Sequence, residues 1–323
     1  MMRADTAATG TGGLRLGAGS VPDRSASHLA LWNTTAFVGL RPGGAERRVA
    51  VDHRTDDGRL VGTWAGVIEG GVWVSGWSAP FGGIDLCRDH ETVGEVMALV
   101  DRGVDVARRF GCHRIEVRRK PPHWSSSEPY VEFALHQAGF YAVESDLNFV
   151  IDLERDWEPA LRKQARRALA AAEALGLTVE RLSADDENGW AEAYAVLRRN
   201  RVDKGRPMRL SLDYVRSMRD RFSPLVRMLV VREGDRVVAA SLVYRVGRGR
   251  DVVQYWGDAC HDLPVTPMPI VVRASVADAR ASGATTLDIG ISTDHGSPNL
   301  GLIQFKRAMG CRTEVRTVVA LDL

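Results

Sequence analysis

The two halves of the sequence repeat one order of predicted elements, and this repeat restricts the possible folds more than any other feature. Each half contains a hairpin, a strand with tryptophan, a helix, a strand, a second helix and a terminal strand. The matching segments are VWVSGWSAPFGG with RDVVQYWGDACH, FGCHRIEVRRKP with SGATTLDIGIST, and FALHQAGFYAVESDLNFVIDL with FKRAMGCRTEVRTVVALDL. The repeat predicts a divergent duplication and two mixed α/β domains.

Hydrophobic periodicity supports this order. Apolar residues alternate in the predicted strands and recur every three or four positions in the predicted helices. We expect strands over 48–53, 60–68, 72–78, 113–118, 140–153, 228–232, 237–246, 251–256, 286–292 and 312–323. We expect helices over 91–110, 128–138, 157–175, 187–200, 271–281 and 302–309.

These elements divide the chain into four predicted segments. Residues 1–27 are rich in small and polar residues, and we expect a disordered tail there. An N-terminal domain over 28–154 and a C-terminal domain over 223–323 would each hold a mixed, mostly antiparallel sheet flanked by helices. A helical segment over 155–222 would connect the two domains.

Composition narrows the class of protein. Hydrophobic residues make up 45% of the chain and charged residues 26%, which is typical of a globular protein. The net charge of +2 creates no overall basic field, so DNA is not an expected partner. No apolar run reaches the roughly 18 residues of a membrane span, and we expect a cytoplasmic protein. The cysteines lack CxxC or zinc-finger spacing, so neither a metal site nor a disulfide framework is predicted.

Four motifs resemble the Fem-like branch of the GNAT acyltransferases. These are ALAAAEALGLTVE before a helix, RRNR within that helix, LDIGIST, and NLGLIQFKRAMG. The most specific of them is FKRAMG following LDIGIST, and the resemblance covers residues 28–323. It implies an α/β (α+β) fold of two tandem GNAT-like domains, with the chemistry in the second and a non-catalytic first.

The resemblance also implies a reaction. Fem-like proteins form amide bonds, some with aminoacyl-tRNA as donor, and related acetyltransferases use acyl-CoA. We therefore expect an N-acyltransferase with no tightly bound cofactor, which acts on an amine of a peptide or small molecule. Its co-substrate would be aminoacyl-tRNA, with tRNA as a partner, or acyl-CoA. An acyl-CoA-dependent N-acetyltransferase and a non-catalytic binding module stay open as alternatives.

The segment GDACHDLPVTPMP helps to distinguish between aminoacyl-tRNA and acyl-CoA as the acyl donor. It lacks the glycine-rich loop whose backbone amides cradle the CoA pyrophosphate in ordinary GNAT enzymes. Its prolines, Pro264, Pro267 and Pro269, also remove amide donors. This composition favours aminoacyl-tRNA over acyl-CoA.

Three residues are candidates for catalysis. Lys306, in FKRAMG, is implied by the resemblance to stabilise charge near the reacting carbonyl, and the alternative is a surface lysine. Asp288 lies mid-strand between apolar neighbours, where it would orient the amine, act as a base, or form a structural salt bridge. Tyr255 ends a strand and would donate a proton, position the substrate or pack in the core.

Further residues are candidates for binding substrate, because they lie in loops at strand ends or on the basic central helix. They are Ser292, Thr293, His295, Asn299, Phe305, Arg199 and Arg201. For the arginines, an exposed structural role is the alternative. We expect the strands 251–256 and 286–292 to diverge, with Phe305 packed inward and Lys306 at the edge of a cleft beside Asp288 and Tyr255.

Overall fold

A computed structural model describes residues 28–88, 91–259, 262–294 and 296–323. The predicted tail over 1–27 lies outside the described residues, and so does the candidate His295. The chain forms two compact units. The first contains the described residues up to Arg119 together with Ser125–Tyr141 and Val319–Leu323, and the second contains Lys120–Trp124 and Ala142–Val318.

The first unit is an α/β layer structure. In chain order its elements are α1 (Thr35–Val38), β1 (Arg48–Arg54), β2 (Leu60–Glu69), β3 (Val72–Ser75), β4 (Ile84–Leu86), α2 (Val93–Arg109), β5 (Arg114–Arg118) and α3 (Glu128–Gln137). The strand order is β1-β2-β3-β5, with β4 paired to β2. Strands β3 and β5 are parallel, because α2 carries the chain back across the sheet between them.

The second unit repeats this arrangement with more strands. Its elements are β6 (Tyr141–Asp152), α4 (Lys163–Glu173), β7 (Thr178–Arg181), α5 (Glu187–Asp203), α6 (Leu212–Phe222), β8 (Val226–Glu233), β9 (Arg236–Gly247), β10 (Arg250–Asp258), α7 (Met268–Ala281), β11 (Thr286–Ile291), β12 (Thr293–Asp294), β13 (Ser297–Pro298), α8 (Leu300–Ala308) and most of β14 (Arg312–Asp322). The strand order is β14-β6-β11-β10-β9-β8-β7. Here β10 and β11 form the parallel pair, and α7 connects them.

The fold class agrees with the sequence-based prediction, and the elements differ in a few places. The predicted helix over 157–175 begins only at Lys163, after a 3-10 turn at Glu158–Ala160. The short strands β4, β7, β12 and β13 were not predicted. They are too short for an alternating pattern, and cross-strand hydrogen bonds define them.

The boundary between the units differs from the boundary predicted at residue 154. Strand β6 follows the last helix of the first half, but it pairs with β11 from Thr286↔Asp152 to Ile291↔Asn148 and so belongs mainly to the second unit. The helical segment over 155–222 also belongs to that unit, because α5 and α6 contact its strands. A sequence pattern predicts a strand but not which strand it will pair with.

None of the helices in the described part of the chain has the length and apolar character needed to cross a membrane.

Helix α2 packs closely on the sheet of the first unit, and substitutions in the helix can test this contact. Its residues Val96, Leu99 and Val100 are fully buried. A Cβ atom at Gly103 would overlap the ring of Trp64, which is itself 0% exposed, whereas a Cβ atom at Gly94 of the same helix would meet nothing.

We predict that Gly103→Ala lowers the free energy of unfolding by about 1–3 kcal/mol, because the added methyl group must displace a buried indole. The matched substitution Gly94→Ala should raise it by about 0.5–1 kcal/mol through helix propensity. Urea unfolding monitored by circular dichroism measures both changes. Equal effects of the two substitutions would contradict the packing of α2 on Trp64.

Candidate functional site

The parallel strands of the second unit separate after three residue pairs. These pairs are Arg250↔Thr286, Asp251↔Leu287 and Val252↔Asp288. Beyond them β10 continues to Asp258 and β11 to Ile291 without further pairing to each other. The predicted divergence of the two strands is therefore confirmed, and it leaves backbone groups of β11 without partners on the β10 side.

A β-bulge lies in β11 where the strands separate. On its other side β11 pairs with β6 at Asp288↔Val150 and at Ile291↔Asn148. Between these pairs, Ile289 and Gly290 stand opposite the single residue Phe149, which is the pattern of a bulge. Gly290 has a φ of 74°, a conformation that favours glycine. The glycine of the LDIGIST motif therefore lies at the bulge, where the backbone needs this conformation.

Lys306 of α8 fills the opening beside this bulge. Its ammonium group donates hydrogen bonds to the carbonyl oxygens of Ile289, Gly290 and Ile291 at 2.8, 2.9 and 3.0 Å. The Nζ atom also lies 5.2 Å from the centre of the Phe149 ring. All three ammonium N–H groups are therefore used, which only the charged form of lysine can provide.

The burial of Lys306 differs from the expectation that it lines the edge of a cleft. Lys306 is 2% exposed, and Phe305, expected to pack inward, is only partly buried. Phe305 instead contacts Trp256 of β10 edge to face, with ring centroids 6.3 Å apart. The lysine turns inward because the separated strand supplies three acceptors there.

Burial lowers the pKa of Lys306 to about 7. The charge of Asp288 raises this pKa in part, while those of Arg316 and Arg206 lower it further. Burial raises the pKa of the Cys311 thiol to about 12, so the thiol is neutral beside the lysine at neutral pH.

Asp288 is buried and its carboxylate is fully engaged. Oδ1 accepts a hydrogen bond from the backbone N–H of Gly290 at 2.6 Å, and Oδ2 accepts one from Nδ2 of Asn148 at 2.9 Å. The Nε2 atom of His123 lies 3.8 Å from Oδ2. These contacts correspond to the structural alternative considered for Asp288, because both oxygens are turned into the protein.

His123 joins Asp288 to a second buried carboxylate. It is in the 3-10 turn Pro122–Trp124, which belongs to the second unit, and its Nδ1 atom lies 2.7 Å from Oε2 of Glu314. Burial tends to raise the pKa of Glu314, but the hydrogen bond and charge of His123 and the charge of Arg312 lower it below its usual value. The bulge is thus supported by a buried ionic cluster.

Tyr255 and three arginines form a second part of the site, at the free end of β10. The guanidinium of Arg201 lies 5.1 Å from the centre of the Tyr255 ring and donates to the carbonyl of Pro207 at 2.9 Å. Burial lowers the pKa of Arg201, and Arg206 and Arg209 lie close enough to lower it further. Within the described ranges, none of these three arginines forms an ion pair.

Burial also affects Tyr255. It raises the pKa of the phenol, although Arg201 and the backbone N–H of Arg209 oppose the shift. The phenol therefore carries its proton at neutral pH and can donate it.

The remaining binding candidates are not all brought to this site. Arg199 is two residues from Arg201 and so about 200° away around α5, where it is exposed and paired with Asp203 at 3.7 Å. Thr293 donates to the buried carboxylate of Asp146, and Asn299 caps α8 by accepting from Leu302 N–H at 3.0 Å. Ser292 is buried, and among the described residues its hydroxyl has no partner.

Sequence reasoning missed Asn148, His123, Glu314, Arg206 and Arg209. The first three are brought to Asp288 only by strand pairing and by the long-range packing of a 3-10 turn, so no local signal marks them. The arginines did carry a signal, since GRPMR continues the basic run RRNR after the helix ends.

Comparisons with known proteins concern the family and the fold of the chain. Residues 159–307 match the family described as acetyltransferase (GNAT) domain. This part of the chain is therefore similar to a GNAT acetyltransferase domain. The matched region includes α4 to α8 almost completely, so the GNAT domain lies in the second unit.

Solved structures share the GNAT fold over most of the chain. FemX is 13% identical with a TM-score of 0.69, covering 92% of this chain and 94% of FemX. L-PGS from Bacillus licheniformis is 12% identical with a TM-score of 0.58, covering 90% and 87%. A tandem GNAT protein from the clavulanic acid biosynthesis pathway is 12% identical with a TM-score of 0.51, covering 85% and 83%. No curated protein sequence matches the chain significantly.

Because the ammonium is buried, we expect the stability of the second unit to depend on pH. The folded-state pKa of Lys306, about 7, lies below the unfolded value of roughly 10.4, so between these values the unfolded chain binds more protons. Stability should therefore rise with pH from about 7 to about 9. Above that range the raised pKa of Cys311 acts in the opposite direction.

We predict that Lys306→Met removes this rise, which amounts to about 1–3 kcal/mol across the two pH units. Urea unfolding at pH 7, 8 and 9 measures the free energy of unfolding for each protein. Arg307→Met is the matched control, because Arg307 is the exposed neighbour on α8 and should leave the slope unchanged. A variant at Lys306 with the wild-type slope would show that its ammonium is not buried in solution.

Proposed function

We propose that this GNAT protein transfers an aminoacyl group from aminoacyl-tRNA to an amine of a peptide or peptide-like acceptor, forming an amide. The observation that carries the proposal is the concentration of positive charge where β10 and β11 separate. Arg206 and Arg209 lower the pKa of Arg201, and Arg206 also lowers that of Lys306. The acid near enough to affect the pKa of Arg201 is the exposed Asp294. Such a surface suits a donor with several phosphates.

The first turn of α7 favours tRNA over CoA as that donor. A helix N-terminus binds phosphate through free backbone N–H groups. In α7, Pro267 and Pro269 have no N–H, the N–H of Met268 donates to Thr266 Oγ1 at 3.2 Å, and the N–H of Ile270 donates to the carbonyl of Pro267 at 2.9 Å. These amides are absent or already used.

The chemistry requires a proton to move as the amide forms. The acceptor nitrogen attacks the ester carbonyl of the donor, a C–N bond forms, and the C–O bond to the ribose breaks. Tyr255 would donate its proton to the leaving ribose oxygen and be reprotonated by the proton that the amine loses. Lys306 would stabilise negative charge on the carbonyl oxygen through its field, since its own N–H groups are engaged by the bulge.

Tyr255, Lys306 and Arg201 therefore have separate proposed roles in proton transfer, charge stabilisation and donor binding. Asp288 is proposed to support the site and not to act as the base, because its oxygens already accept hydrogen bonds. We propose a cytoplasmic reaction, since aminoacyl-tRNA is a cytoplasmic molecule.

An acyl-CoA donor is the second candidate. The matched family is described as an acetyltransferase domain, and this match favours transfer of a simple acyl group. Both candidates use the same opening between β10 and β11, so the donor must be determined by assay.

The donor test uses a mixture of tRNAs charged with radiolabelled amino acids and a panel of short peptides with free amines. We expect label to enter peptide, and prior treatment of the tRNA with RNase should abolish the transfer. A parallel reaction contains labelled acetyl-CoA. Transfer from acetyl-CoA but not from aminoacyl-tRNA would overturn the proposal in favour of the second candidate.

A matched pair of arginine substitutions tests the donor site. We predict that Arg201→Ala raises the KM for aminoacyl-tRNA by about tenfold and reduces its dependence on salt, because one phosphate contact is lost. Arg199→Ala removes the same charge from the same helix but on its exposed side, and it should change KM less than twofold. Equal effects would mean that net charge, and not a defined site, determines donor binding.

A further inference from the structure

The buried side chain of Asn148 has no assigned part in the proposed reaction, although it lies at the centre of the site. Asn148 is 0% exposed and is on β6 opposite Ile291. Its Nδ2 atom donates to Asp288 at 2.9 Å. Its Oδ1 atom is buried with no hydrogen-bond partner among the described residues, so the side chain is kept polar at a cost in stability.

Asn148 donates a hydrogen bond directly to Oδ2 of Asp288. Among the described residues, the other group facing Oδ2 is His123, whose Nε2 atom at 3.8 Å is beyond hydrogen-bond distance. The amide of Asn148 therefore holds Oδ2 of the carboxylate in place. Once oriented, the carboxylate directs Oδ1 to the N–H of Gly290.

The bond from Gly290 to Asp288 defines the shape of the bulge. It closes a short turn in which Gly290 has positive φ, and Ile289 and Gly290 stand together opposite Phe149. In a regular strand, successive carbonyl groups point to alternate sides. In this bulge, three successive carbonyl oxygens reach the ammonium of Lys306.

A buried ammonium needs such acceptors, because desolvation favours the neutral amine. If the bulge relaxed into a regular strand, Lys306 would lose part of its hydrogen bonding while it stayed away from water. The neutral form would then gain population, and the positive charge would be lost from the opening between the strands.

We propose that Asn148 is a positioning residue for Lys306, which acts through the carboxylate of Asp288 and the bulge at Ile289–Ile291. It touches neither donor nor acceptor. The proposal rests on the proposed acyl transfer for its functional meaning, since it is the charge of Lys306 that the reaction would use.

The test measures the protonation of Lys306 directly. The chain has four lysines, at positions 120, 163, 204 and 306, so the lysine Cε resonances of a 13C-labelled protein are few enough to assign by substitution. We expect the midpoint of the Lys306 titration to fall by about one unit or more in Asn148→Leu, which removes the donor without changing any charge.

Thr286→Val is the matched control. Thr286 is on β11, two residues before Asp288, and its buried hydroxyl has no hydrogen-bond partner in the described part of the chain. The substitution is nearly isosteric, and the Lys306 midpoint should stay within about 0.3 unit of the wild-type value. A midpoint in Asn148→Leu that also stays within this range would overturn the proposal.

A measurement on the wild-type protein tests the proposal even if the Asn148→Leu variant does not fold. The side-chain amide resonances of Asn148 should shift with pH at the same midpoint as Lys306 Cε, because the two groups are joined through Asp288 and the bulge. Amide resonances that do not respond at that midpoint would overturn the proposal.

These readouts are independent of catalysis, so the two proposals fail separately. If the midpoint shifts but no acyl transfer is found with any donor, the positioning role stands and the proposed function fails. If transfer occurs and Asn148→Leu keeps both the Lys306 midpoint and the kcat, the function stands and the positioning role fails.

Discussion

The site depends on the three hydrogen bonds from the Lys306 ammonium to the bulge of β11. Parallel strands that separate leave backbone carbonyl groups without donors, and buried carbonyl groups without donors are costly. Here a side chain from the following helix takes the place of the missing strand. The opening between β10 and β11 is thus stabilised by a cation, and the same interaction provides a fixed positive charge where the strands diverge.

Helix α8 connects the two sides of that opening. Phe305 contacts Trp256 on β10, and the next residue, Lys306, binds the backbone of β11. Successive helical residues point about 100° apart, which lets one turn of helix reach both strands. Because the charge is held by the backbone and not by a mobile carboxylate, it is preorganised, which is the property that electrostatic stabilisation of an oxyanion requires.

The first unit shows what the same arrangement becomes without the cation. Alignment of the halves on Gly139 and Gly310 places Leu135 where the second half has Lys306. Leu135 is 1% exposed and packs in the hydrophobic core with Val131, Ala134 and Phe140. A buried leucine needs no acceptors, so nothing in this helix requires a bulge or an ionic cluster nearby. This contrast supports our proposal that the chemistry belongs to the second unit.

The amino-acid sequence predicts the fold class, most of the longer helices and strands, and part of the candidate site, including Lys306, Asp288 and Tyr255. The spacing of apolar residues is enough to predict helices and strands, because an element with one apolar face has apolar residues at its own characteristic period. The directions of the side chains, and the distant residues that they meet, follow from packing and strand pairing. Lys306 turned inward because acceptors existed only once β10 and β11 had separated, and Arg201 but not Arg199 faces Tyr255 because helical phase separates them. Asn148 and Asp288, 140 positions apart in the chain, meet only through strand pairing, which no local pattern encodes.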